Sequence, residues 1–161
     1  MLERKWWTLI VVCAAIFMLL LDITIVNVAL PPIARDLHAG FTDLQWVIDA
    51  YALTLATFVL NAGSLADLIG RKRVFVSGVV LFTAASALCG AATSPLFLIL
   101  ARAGQGIGGA IMFAVSLALL SQEFQGRERG TAFGAWGATI GFAVAVGFGL
   151  QVIVSYSAIA G

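Results

Sequence analysis

Charge is scarce in this chain. Nine Lys or Arg and eight Asp or Glu make up 11% of its 161 residues, against about 25% in soluble domains. A net charge of +1 gives no broad basic field, which excludes a nucleic-acid-binding module. Histidine occurs once, at His38, in a loop without a ligand cluster, so no metal centre is expected. The two cysteines, Cys13 and Cys89, sit near opposite ends of two different apolar runs. A disulfide is therefore not expected, and both read as small hydrophobes. No nucleophile–base pair stands out, so neither an enzyme nor a cofactor is indicated. No Pro- or Ser-rich stretch divides the chain, which leaves one membrane domain over 1–161.

What remains is apolar: 61% of the residues. Five runs are long enough to cross a hydrocarbon core about 30 Å thick. They lie at about 7–30, 44–68, 74–92, 96–120 and 130–154, and predict an all-α transmembrane five-helix bundle. The first run is too long for a signal peptide and holds a carboxylate, so it reads as an uncleaved helix. Arg4 and Lys5, Arg71, Lys72 and Arg73, and Arg127 and Arg129 fall on one side of this arrangement. The other side has Arg35 alone, beside Asp36 and Asp43. The expected orientation in a plasma (inner) membrane is a cytoplasmic N-terminus and an external C-terminal end.

Within the first run the ionisable side chains are Asp22 and the Cys13 thiol. A carboxylate there costs about 2.5–3.5 kcal/mol on insertion scales and marks function by default. At about 100° per residue, Thr24 and Asn27 fall opposite Asp22. The helix is expected to turn one polar face to a wet cavity and the other to its neighbours.

The stretch Leu21-Asp22-Ile23-Thr24-Ile25-Val26-Asn27-Val28-Ala29-Leu30-Pro31 resembles the first-helix signature of the fourteen-helix drug:proton antiporters of the major facilitator superfamily. Gly63-Ser64-Leu65-Ala66-Asp67-Leu68-Ile69-Gly70-Arg71-Lys72-Arg73 resembles that superfamily's loop between helices two and three, with Leu68 where a basic residue is usual. The resemblance implies a gating loop built on Gly63, Asp67, Gly70, Arg71, Lys72 and Arg73. Independently, Asp67 near a helix C-terminus opposes the macrodipole, and Arg71 at i+4 is its obvious partner.

In the fourth run, Arg102, Gln105, Gly106 and Gly109 share one helical face. Arg102 and Asp22 lie at similar depths, so a direct or water-bridged pair is geometrically allowed. The segment from Leu98 to Gly109 is similar to the family's fourth-helix motif, whose Arg is linked to proton transfer. Gly104-Gln105-Gly106-Ile107-Gly108-Gly109 also fits a dinucleotide fingerprint, but no strand or βαβ unit surrounds it, and that reading is rejected. In the fifth run, Gly130, Gly134, Gly137, Gly141 and Ala145 form a small-residue stripe expected to pack against another helix. It is similar to the antiporter motif of the fifth helix, except that Gly147-Phe148-Gly149-Leu150-Gln151-Val152 replaces the usual Gly-Pro and Gly-Gly ending.

The resemblance covers the whole chain and implies proton-coupled export of small lipophilic compounds, cationic ones foremost. The cavity residues would be Asp22, Thr24, Asn27, Arg102 and Gln105. The expected partners are the lipid bilayer, protons, a small-molecule substrate, and either a missing second half or other copies of the chain. A truncated or assembly-only membrane subunit without transport of its own is the alternative.

Overall fold

The computed structural model describes residues 3–160, with side chains through 156. The described residues form five helices: α1 (Arg4–Asp36), α2 (Phe41–Ile69), α3 (Arg71–Gly90), α4 (Pro95–Glu123) and α5 (Arg127–Ala160). All five contain a stretch long and apolar enough to span a membrane. The sequence explains their ends. The Asp43 carboxylate accepts the Gly40 N–H at 2.9 Å at the start of α2, satisfying one backbone donor left open at a helix N-terminus. Ser94 Oγ accepts the Phe97 N–H at 3.4 Å at the start of α4, ahead of Pro95. A Ser cap followed by proline suits a helix start. Gly70, at φ 107°, closes α2 and opens α3 in a single residue, a conformation that side chains rarely tolerate.

One boundary differs from expectation. The first apolar run was expected to end at Leu30, but α1 continues through Pro31 and Pro32 to Asp36. Those prolines cannot donate to the carbonyls of Asn27 and Val28. The chain nonetheless stays helical until Leu37 and Ala39 donate back to Ile33 O and Ala34 O, with His38 in left-handed backbone.

The helices form two compact units, Met1–Leu30 with Leu120–Gly161, and Pro31–Leu119. In the first unit the N-terminal part of α1 runs parallel to α5. Lys5 Nζ donates to both Glu128 carboxylate oxygens at 2.9–3.0 Å. Trp6 meets the fully buried Phe124 edge to face at 5.4 Å. Phe17 stacks on Phe142 at 5.9 Å. Thr24 occupies the space a Cβ would need at Gly147.

The hydrogen bond to Glu128 is the main reason the Lys5 ammonium titrates above its ordinary value of 10.5, with Glu3 second and partial desolvation opposing both. A raised folded-state pKa gives a contribution that is complete below about 10.5 and lost as pH rises through the folded value. Lys5→Gln should therefore lower the thermal midpoint by a constant amount near neutral pH. Above about pH 10.5 the difference from wild type should shrink.

In the second unit, α4 is the central helix and the most buried of the five. It runs antiparallel to α3. A Cβ at Gly108 would lie 2.6 Å from Phe82 N and 3.0 Å from Gly78 O, and one at Gly78 would lie 2.6 Å from Ile111 Cγ2. The two backbones thus touch where both helices carry glycine, as membrane helices do in the absence of a strong hydrophobic drive. On its other side α4 runs parallel to α2. A Cβ at Gly106 would fall 2.5 Å from Tyr51 O and collide with the Thr54 hydroxyl.

Candidate functional site

Arg102 is the most unusual side chain in the second unit. It is a cation about two turns into an apolar helix, yet it is only 2% exposed. Three helices account for its placement. From its own helix, Gln105 Oε1 accepts an Nη1–H at 2.7 Å. From α2, Val47 O accepts the Nε–H at 3.3 Å, and the Tyr51 ring lies 4.2 Å beneath the guanidinium carbon. From α3, the Cys89 thiol donates to the same Gln105 oxygen at 3.5 Å. Gln105 is itself 1% exposed. A planar guanidinium suits this site because its fork and its face are used at once. Gly106 completes the arrangement by letting the Tyr51 backbone close on α4. Thr54, one turn along, turns its hydroxyl back to Ala50 O and Tyr51 O. Gly109 is buried one turn beyond.

The expected site residues are distributed as follows. Arg102, Gln105, Gly106 and Gly109 lie on α4 as one cluster. Asp22 and Thr24 are half-buried on α1, in the first unit. The Thr24 side faces α5 at Gly147. Asn27 is exposed, and its amide donates to Ile23 O at 2.8 Å on its own helix.

In the loop between α2 and α3, Arg71 Nε and Nη2 donate to Asp67 Oδ1 at 3.1 and 3.0 Å, and Nη1 donates to Ala118 O at 2.9 Å. One guanidinium therefore ties the end of α2, the start of α3 and the C-terminal part of α4 together. Lys72 and Arg73 are exposed, as is Leu68, at 85%. Gly63 has open space around it.

Gly134, Gly137 and Gly141 also have open space around the position of a Cβ. The buried face of α5 is instead marked by Ala132, Ala143 and Gly147. The small-residue stripe thus lies on the exposed side of α5 rather than against a helix of the described chain. Sequence reasoning passed over Tyr51 and Gly78, met Gly108 only within the rejected dinucleotide fingerprint, and took Cys89 for a plain hydrophobe. For Gly78 and Gly108 the signal was present as glycines inside two consecutive apolar runs.

Comparison with known proteins accounts for this architecture. Residues 12–159 match the profile of the Major Facilitator Superfamily. The chain belongs to the major facilitator superfamily. Its superfamily relatives include puromycin resistance protein pur8 of Streptomyces alboniger, 46% identical over 89% of this chain and 29% of that protein. Multidrug resistance protein Stp of Mycobacterium tuberculosis (strain CDC 1551 / Oshkosh) is 46% identical over 80% of this chain and 24% of its own length. Multidrug transporter protein MdtP of Bacillus subtilis (strain 168) is 45% identical over 83% and 24%. The chain thus spans about a quarter to a third of these relatives.

Among solved structures, a bacterial homolog of the human lysosomal transporter Spinster, inward-facing and unoccupied, superposes with a TM-score of 0.79. That superposition covers 91% of this chain and 31% of that one, at 20% identity, and shows the shared fold. Major facilitator proteins are membrane transporters, and the five apolar helices fit that membership.

Proposed function

We propose that this chain works in proton-coupled export of small lipophilic compounds, cationic ones foremost, as part of a larger transporter in the plasma (inner) membrane. The observation that carries the reading is Arg102, a buried cation held by three membrane-spanning helices. A fold does not keep so costly a group at depth for packing alone. The names of the relatives, which concern antibiotic and multidrug resistance, support an export role.

In this proposal Asp22 is the anion for which proton and cationic substrate compete. Arg102 is the fixed cation that sets the field of the cavity, and Gln105 holds its orientation. Protons entering from outside displace the substrate outward. The Asp67–Arg71 clasp holds the cytoplasmic ends of α2, α3 and α4 in one arrangement and acts as the gate. The N-terminus is cytoplasmic, following the distribution of basic residues. A second half or further copies of the chain complete the substrate path, because transporters of this kind place their site between repeats.

Everted membrane vesicles carrying the chain, with and without Asp22→Asn, test the proposal. Uptake of a fluorescent lipophilic cation should depend on the proton gradient and be lost in the variant, with membrane insertion unchanged. Equal uptake by both would overturn it. No uptake by the inserted wild-type chain would favour the assembly-only subunit.

A further inference from the structure

The exposed face of α3 has an unused feature. Lys72, Arg73, Val76, Ser77, Val80, Leu81 and Ala84 line an open groove of about 790 Å³. They recur at spacings of one and three residues, on the side of α3 opposite the buried Val74, Phe75, Gly78, Phe82 and Ala85. The groove is graded: two cations stand at its head, and the remainder is apolar apart from Ser77. From Lys72 to Ala84 it is about 18 Å long at 1.5 Å per residue, close to one leaflet of a hydrocarbon core about 30 Å thick.

The cations at its head are not committed elsewhere. Arg71 is taken up by Asp67 and Ala118 O. Lys72 and Arg73 have no hydrogen bond or ion pair among the described residues. They also sit in the first turn of α3, where the helix dipole already adds positive charge. Uncompensated positive charge at the lipid-headgroup level, leading into an apolar groove one leaflet long, is complementary to an anionic lipid.

We infer that the groove along α3 is a binding site for one anionic phospholipid of the leaflet that the α2–α3 turn faces. The phosphate sits at Lys72 and Arg73, and an acyl chain lies along Val76, Val80, Leu81 and Ala84. The Ser77 hydroxyl is turned back onto Val74 O at 2.7 Å and so leaves the groove wall apolar in character. A soluble anion would use the cations alone and gain nothing from the groove.

Native mass spectrometry of the chain in detergent, titrated with phosphatidylglycerol or phosphatidylcholine of the same acyl chains, tests the site. Each basic residue is worth about fivefold in affinity for an anionic surface. The wild type should therefore prefer phosphatidylglycerol by roughly thirtyfold, and Lys72→Gln with Arg73→Gln should abolish the preference. Ala84→Phe, which fills the groove, should weaken both lipids alike and leave the preference intact. Helical content by circular dichroism should be the same in all three proteins. The inference is overturned if the double variant keeps the preference, if Ala84→Phe changes nothing, or if glycerophosphate displaces the lipid as well as phosphatidylglycerol does.

Discussion

Replacing Arg102 by alanine should abolish transport and cost about 2–4 kcal/mol of stability. Hydrogen bonds from a buried charge are worth about 1.5–3 kcal/mol. A desolvated cation–π contact such as the one with Tyr51 adds about 2 kcal/mol. Relief of the buried charge offsets part of that sum. Truncation also withdraws a donor from Gln105 and Val47 O, both buried. Arg102→Lys retains the charge but has neither a planar fork nor a face to lay on Tyr51, so it should recover only part of the stability. Thermal unfolding in detergent, read beside vesicle uptake, separates the two roles. A fully stable Arg102→Ala protein would show that the three-helix cluster does not hold the unit together.

Glycine-to-alanine changes on two faces should have opposite signs. At Gly108 the new methyl would meet Phe82 N at 2.6 Å and Phe82 Cα at 2.9 Å. These are backbone atoms and cannot rotate away, so α3 and α4 must separate. Overpacking of this kind costs about 1–3 kcal/mol, and the separation also disturbs Cys89 on Gln105. At Gly134 nothing lies within 4 Å. There alanine should stabilise the chain by about 0.5–1 kcal/mol, because glycine weakens a helix interior. Guanidinium-free thermal scans of the two variants in the same detergent give the comparison directly. Equal destabilisation at both positions would mean that the stripe on α5 is packed after all.

These contrasts show what the sequence can specify. Span length and the long match around Asp22 pointed to a membrane protein of the major facilitator superfamily, because both signals are local. The partnership of Asp67 with Arg71 was readable for the same reason, since i and i+4 meet on any helix. The environment of Arg102 was only half readable. Gln105 is on the same helix, but Tyr51, Val47 and Cys89 come from two others, and no single-helix pattern reports a neighbour's register. The stripe on α5 shows the same limit from the other side. Small residues tell which face permits close approach, not whether a partner is there. The extension of α1 was missed because Pro31 and Pro32 are reliable breakers only where the lost hydrogen bonds are not tolerated.

In the proposed function, substrate export is exchanged for protons at Asp22. The most direct measurement is lumenal pH in everted vesicles acidified by respiration and then given a lipophilic cation. The account predicts that adding the cation raises lumenal pH, with protons leaving as substrate enters, and that Asp22→Asn gives no such change. Substrate entry without proton movement, or an unchanged proton signal in Asp22→Asn, would contradict it.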